Sequence, residues 1–269
     1  MSFVTTLPFW GDYSINSICL SVCLGLAGGH VVRHVTAHLP AWLERNWRVD
    51  AQEILGVVPQ ELASTEPHPP TVLSTVEQRV IAFKRAYRAT GEVDQCRFPI
   101  WELVGAVLVV LSGWQSGFNL WGLAVALGLM IGLAAAIVDA RTMLLPDVLV
   151  LPTIWLGLTA TALCHPALLQ ENVLACAAGY LCLFLLPMGR GDAKLFAAIG
   201  AWAGYEGLIM AITAGGLLGV VVGLYLRLKR GESKPYPFGP FLYLGLVLSL
   251  LYPEAFQTMQ VLVRGHWVG

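Results

Sequence analysis

"NLWGLAVALGLMIGLAAAIV", Asn119 to Val138, contains no Asp, Glu, Lys or Arg. The hydrocarbon core of a bilayer, about 30 Å thick, is crossed by roughly 20 predominantly apolar helical residues, so this stretch alone has the length and composition of a span. "GLIMAITAGGLLGVVVGLYL", Gly207 to Leu226, is a second. Outward from these two lie shorter apolar runs: Ser14–Val32, Phe98–Gly113, Val148–Cys164, Asn172–Met188, a stretch after Leu195 ending near Gly204, and Phe238–Tyr252. The expected fold is an all-α, polytopic membrane helical bundle of about eight spans.

The whole chain agrees with that reading. Its 269 residues are 57% hydrophobic and only 12% charged, a composition that excludes an ordinary soluble domain. The formal net charge of −1 gives no basis for nucleic-acid binding. The opening "MSFVTTLPFWGDYS" has no basic residue ahead of the first apolar run, so that run is expected to stay as a span rather than be cleaved as a signal. Cytoplasmic loops retain Lys and Arg. With the N-terminus outside, Arg33 to Arg97, Arg141, Arg190 with Lys194, and Arg227 to Lys234 all fall on the cytoplasmic side, and only Arg264 falls on the other.

Three regions follow: residues 1–32 as the first span, 33–97 as a cytoplasmic segment, and 98–269 as the membrane core. Within the segment, "HVTAHLPAWLERNWRVDAQEIL" reads as partly helical and "STEPHPPTVLS" as a proline-broken loop. "VEQRVIAFKRAYRAT" has apolar residues at helical spacing and a basic opposite face suited to anionic headgroups, with Lys84, Arg85 and Arg88 on it. Of the six cysteines only Cys96 lies away from the apolar runs, and no CxxC pair occurs, so the cysteines read as small packing residues. His30, His34 and His38 share a helix face but lack accompanying carboxylates or thiolates, and no metal site is expected.

Chemistry is confined to the charged turns. Asp139 follows "LAAAIV" at the end of the third run, and Asp192 lies in "GRGDAKL", between the fifth and sixth. Ionisable groups at such depth are costly and, where kept, face a bundle interior, a partner or water. Two carboxylates brought together share one proton and titrate as a pair. One can then take a proton from water as it attacks a carbonyl while its protonated partner donates to the carbonyl oxygen, as in an aspartic protease. Gly189 and Gly191 suit backbone conformations closed to other residues and close approach of a peptide. A plainer reading stands beside this one, in which Gly189-Arg190-Gly191 is a turn, Asp192 caps the next helix, and Arg190 and Lys194 anchor at headgroups. Asp147, in "LLPD", competes with Asp139 for the catalytic position and is also placed to act as an N-cap. Glu102 is placed to pair with Arg97 or to line the site.

Taken in order, these blocks resemble the type IV prepilin peptidases, a family of membrane aspartic proteases. "DARTMLLPDVLVLPTIWLGL" is similar to the family's first aspartate motif, with Asp139 at the catalytic position. "MGRGDAKLFAAIGAWAG" is similar to its GxGD motif, with Asp192 as the second aspartate and Lys194 at the usual lysine. "PFGPFLYLG", Pro237 to Gly245, and "FPIWELVGA", with Glu102 at the glutamate, match two further blocks. Upstream, His30 and Arg33 stand where a serine and an asparagine are usual.

The resemblance implies cleavage of a prepilin or pseudopilin leader after a glycine, at the cytoplasmic face of a bacterial inner membrane, in a system for pilus assembly, type II secretion or DNA uptake. No cofactor is implied for proteolysis. Many relatives also methylate the new N-terminus with S-adenosylmethionine and carry a zinc site of two CxxC pairs. Here the interval from Trp47 to Phe98 holds only Cys96, so zinc is not expected, and S-adenosylmethionine is required only if methyl transfer is retained. Two other classes would also keep intramembrane aspartates: a transporter or proton-pathway protein, and an inactive pilus-assembly subunit.

Overall fold

The structure, a computed structural model, describes residues 15–54, 100–186, 189–230 and 237–252. These form α1 (Ile15–Ile54), α2 (Ile100–Ser116), α3 (Leu120–Thr142), α4 (Asp147–Cys164), a 3-10 turn (Pro166–Leu168), α5 (Leu169–Phe184), α6 (Arg190–Met210), a π-helical stretch (Ala211–Gly216), α7 (Leu217–Arg230) and α8 (Gly239–Leu251). The protein is all-α, as its apolar runs require, and no strand occurs among the described residues. Five helical stretches are long and apolar enough to cross a membrane, with two shorter apolar helices beside them. The longest, Arg190–Tyr225, is broken at Gly204 and covers two of the expected apolar runs.

Two compact units divide the chain, one formed by Met1–Arg33 with Ile100–Gly269 and the other by His34–Pro99. Only residues 34–54 of the second are described, and there the helical reading holds: α1 runs through Pro40 to Ile54. The proline loop, the basic stretch around Lys84, and Arg97 lie outside the described residues.

In the first unit α3 and α6 are the middle helices. α3 packs against α2, α4 and α8, while α6 packs against α4, α5 and α8. The sequence of α3 prepares it for that place, since its Gly and Ala positions let neighbours approach closely. It is started by Asn119, whose side chain accepts from the Gly122 N–H at 2.9 Å. It ends at Met143 in the left-handed region (φ 54°), whose N–H closes on the Asp139 carbonyl at 2.8 Å. Trp202 of α6 supplies the large surface between the two. It is 2% exposed, fits against Gly128 and Gly157, and donates its Nε1–H to the Thr153 carbonyl at 2.9 Å.

The break in α6 has a local cause. Gly204 has φ 61° and ψ −157°, a region that side chains other than hydrogen rarely enter. The backbone around it is answered by buried Asn172, whose Nδ2 donates to the Ala201 carbonyl and to Thr161 Oγ1, each at 3.1 Å. This break lies well along α6 from its first turn, which leaves the turn that carries Asp192 as regular helix.

Candidate active site

Asp139 occupies the last turn of α3 and is 4% exposed. A buried carboxylate needs donors. One comes from the first residue of α8: the Gly239 N–H donates to Asp139 Oδ2 at 2.9 Å. The unpaired amides of a helix N-terminus make it an anion site, and here the anion is a side chain of another helix. α8 is held in that register by Tyr243, one turn further on, whose hydroxyl donates to the Leu129 carbonyl of α3 at 3.0 Å.

Asp192 occupies the first turn of α6, with Gly189 at the N-cap. Its carboxylate lies against Gly189, where a Cβ would stand 2.9 Å from Oδ2, and the third helical position is the one from which a carboxylate can reach back to the cap. Asp139 is the charge that acts on it. The two aspartates, separated in sequence by α4 and α5, therefore lie within electrostatic reach of each other, one at a helix end and one at a helix start.

The glycines work differently from the sequence reading. Gly189 has φ −64° and ψ 137°, which any residue can adopt, and among the described residues the positive-φ glycines are Gly117 and Gly204. Conformational freedom is not what Gly189 and Gly191 contribute. Their lack of a side chain is: a Cβ on Gly189 would stand 2.9 Å from Asp192 Oδ2, and one on Gly191 would stand 2.7 Å from the Leu145 Cβ.

Asp147 is the first helical residue of α4, and Pro146 takes the N-cap position assigned to Asp147 from the sequence. The fixed φ of proline suits that place, and the carboxylate is left to do something else. Lys194 Nζ donates to Asp147 Oδ1 at 2.6 Å and to Oδ2 at 2.7 Å. The anchoring expected of Lys194 is thus to α4.

Glu102, in the first turn of α2, is 8% exposed. Arg33 Nη2 lies 3.1 Å from its Oε1, and the same guanidinium nitrogen lies 3.0 Å from His30 Nδ1, with His30 Nδ1 3.4 Å from Glu102 Oε1. The ion-pair reading of Glu102 holds with Arg33 as partner. Its Oε2 is buried without a hydrogen bond.

Two residues of this arrangement were not singled out from the sequence. Gly239 donates to Asp139, and the signal for it was Pro240, since a proline just inside a helix start marks an N-terminus able to take a carboxylate. Arg33 enters from the sequence as a topology marker and as a departure from the family's usual asparagine, not as a partner of Glu102. Among the described residues no group of three or more His, Cys, Asp or Glu side chains is placed to hold a metal ion. The four thiolates that a zinc module needs do not exist between Trp47 and Phe98, so the residues do not fit that group.

Known proteins bear on this geometry. The model of the type IV leader peptidase family matches residues 125–224, which include both aspartates. A prepilin leader peptidase/N-methyltransferase of Pseudomonas aeruginosa is 34% identical over 243 residues, covering 80% of this chain and 83% of that protein. Proteins of the same name from Dickeya chrysanthemi (34% over 245 residues, covering 79% and 86%) and Xanthomonas campestris pv. campestris (32% over 237 residues, covering 76% and 80%) are similar along most of their length. No solved structure matches the chain.

Proposed function

The chain belongs to the type IV leader peptidase family, and on that premise we propose that it is a membrane aspartic endopeptidase that removes the leader of prepilin-like proteins, with Asp139 and Asp192 as its catalytic pair. The observation that carries this reading is that the two carboxylates, in the last turn of α3 and the first turn of α6, lie within electrostatic reach of each other. One carboxylate takes a proton from a water molecule, whose oxygen bonds to the carbonyl carbon of the leader's last glycine. The protonated partner donates to the carbonyl oxygen. Collapse of the tetrahedral species breaks the C–N bond, and the proton taken from water passes to the departing amine.

The peptidase core is assigned to 98–269. The distribution of Lys and Arg supports an outside N-terminus and a cytoplasmic active site in a bacterial inner membrane. A substrate with a basic leader followed by an apolar helix suits this place, since its helix packs among spans while its polar junction unwinds where protein and water satisfy the backbone. Proteolysis on this scheme uses no metal or organic cofactor. N-methylation belongs to the names of the relatives; in this chain it would need S-adenosylmethionine and is a separate activity.

Co-expression of a prepilin-like protein with wild type, Asp139→Asn, Asp192→Asn and Asp147→Asn tests the reading. Expected are a shortened product with wild type, full-length substrate with the first two variants, and a product mass that reports any added methyl group. Processing by both Asp139→Asn and Asp192→Asn would overturn the pair. An active Asp139→Asn beside an inactive Asp147→Asn would move the first catalytic position to Asp147.

A further inference from the structure

The first turn of α6 has to present Asp192 to Asp139, yet its own sequence, Gly189-Arg190-Gly191, restrains the backbone weakly. Tertiary contacts must supply the restraint. Two are visible, and both come from the same short junction between α3 and α4. Leu145 fills the space beside Gly191, so closely that a Cβ there would stand 2.7 Å from the Leu145 Cβ. Lys194 grips both oxygens of Asp147, at 2.6 and 2.7 Å. Asp192 lies between Gly191 and Lys194 in sequence, so it is bracketed by the two contacts.

The junction is flanked by Asp139, in the last turn of α3, and Asp147, the first residue of α4. One continuous stretch therefore carries a catalytic carboxylate at its start and the anchor for the other carboxylate's helix at its end. Residues two apart on a helix point roughly 200° from each other. Lys194 thus fastens the α4 side of the turn while Asp192 is directed towards α3. The pair is not fully buried, with Lys194 27% and Asp147 54% exposed, and an exposed ion pair contributes little to stability. Its two-oxygen geometry fixes position more than it adds energy.

We propose that the Asp147–Lys194 ion pair is a positioning clamp that sets where Asp192 stands relative to Asp139, so that its loss slows the chemical step of leader cleavage rather than weakening substrate binding. This rests on the catalytic pair proposed above. Catalytic geometry is steep in distance: a displacement of about 1 Å can cost on the order of a hundredfold in rate.

The test uses the full-length protein in lipid nanodiscs with a purified prepilin-like substrate, comparing wild type, Asp147→Asn, Lys194→Met, Lys194→Arg and the charge swap Asp147→Lys with Lys194→Asp. Thermal midpoints are measured alongside. Expected are a fall in kcat of at least about tenfold in Asp147→Asn and Lys194→Met, KM within about threefold of wild type, substantial activity in Lys194→Arg, and a swap more active than either single variant. A swap no better than the poorer single variant, singles with wild-type kcat, or a loss confined to KM would overturn the clamp, the last by making Lys194 a substrate-binding group. Should the singles fail to fold, the swap and Lys194→Arg decide, and inactivity in both counts against it. Recovery in the swap also separates a clamp from catalysis by Asp147, since a lysine cannot replace a catalytic carboxylate. Asp139→Asn and Asp192→Asn run in parallel: if they cleave, the catalytic pair is wrong, whereas if they are dead and the clamp variants are unaffected, only the clamp is wrong.

Discussion

The backbone N–H of Gly239 donates to Oδ2 of Asp139 at 2.9 Å, joining residues 100 apart in sequence. The contact sets the carboxylate at the amide end of α8, and it requires glycine: a Cβ at position 239 would lie 2.7 Å from Oδ2 and 3.1 Å from Cγ. Gly239→Ala must therefore displace Asp139 or tilt α8. We predict a folded protein whose leader-cleavage rate falls by about tenfold to a hundredfold, read as kcat alongside an unchanged elution profile in detergent. Wild-type cleavage by Gly239→Ala would show that this contact does not position the aspartate.

Gly191 and Leu145 form a second close approach. Gly191→Ala is expected to push the first turn of α6 away from the α3–α4 junction and reduce cleavage, because its Cβ would meet the Leu145 Cβ, while Gly191→Ala with Leu145→Gly, which removes that Cβ, returns space and activity. Side-by-side rates check this. A double variant less active than Gly191→Ala alone would contradict it, because residues in direct contact should couple.

Trp202 carries stability rather than chemistry. It is 2% exposed, bonded to the Thr153 carbonyl and seated against two glycines. Trp202→Ala should destabilise by about 3–5 kcal/mol through the cavity it leaves. A marked drop in thermal midpoint and in the yield of monodisperse protein would be the sign. A midpoint equal to wild type would show that the α3–α4–α6 core is not packed around this indole.

Glu102 and Arg33 should behave as a coupled pair. Removing Arg33 leaves a carboxylate that is 8% exposed without its main cation, so Arg33→Met is expected to cost about 1–3 kcal/mol, reduced from the fully buried case because Arg33 is a third exposed. Adding Glu102→Gln should recover part of that loss. The measurement is a double-variant cycle on thermal midpoints, and strict additivity would deny the pairing.

The sequence makes the spans legible because a bilayer imposes length and composition on every crossing helix. It also makes Asp139 and Asp192 stand out, since charge beside an apolar run is rare enough to be noticed. Partners were harder. From the sequence Glu102 is placed to pair with Arg97, which lies outside the described residues, or to line the site; the guanidinium of Arg33, which comes from α1, is not indicated by any local pattern. Gly239 was passed over because no local pattern shows which helix N-terminus will receive which carboxylate; that is decided by packing across the bundle. The N-cap of α4 moved by one residue, from Asp147 to Pro146, and that small shift releases Asp147 to meet Lys194. For Gly189 and Gly191 the sequence suggests unusual backbone conformations and close approach of a peptide; the first is not used, and the missing side chains leave room instead for Asp192 and Leu145.

The central claim is that Asp139 and Asp192 act as one catalytic unit on a prepilin-type leader. Its most direct test is the initial rate of leader release, followed by mass spectrometry, for purified wild type, Asp139→Asn, Asp192→Asn and the double variant in lipid nanodiscs. Residues that work as a unit lose nearly everything on the first substitution and little more on the second. The predicted result is background cleavage in both single variants and in the double, each folded as wild type. A single variant that keeps more than about a tenth of the wild-type rate would contradict it.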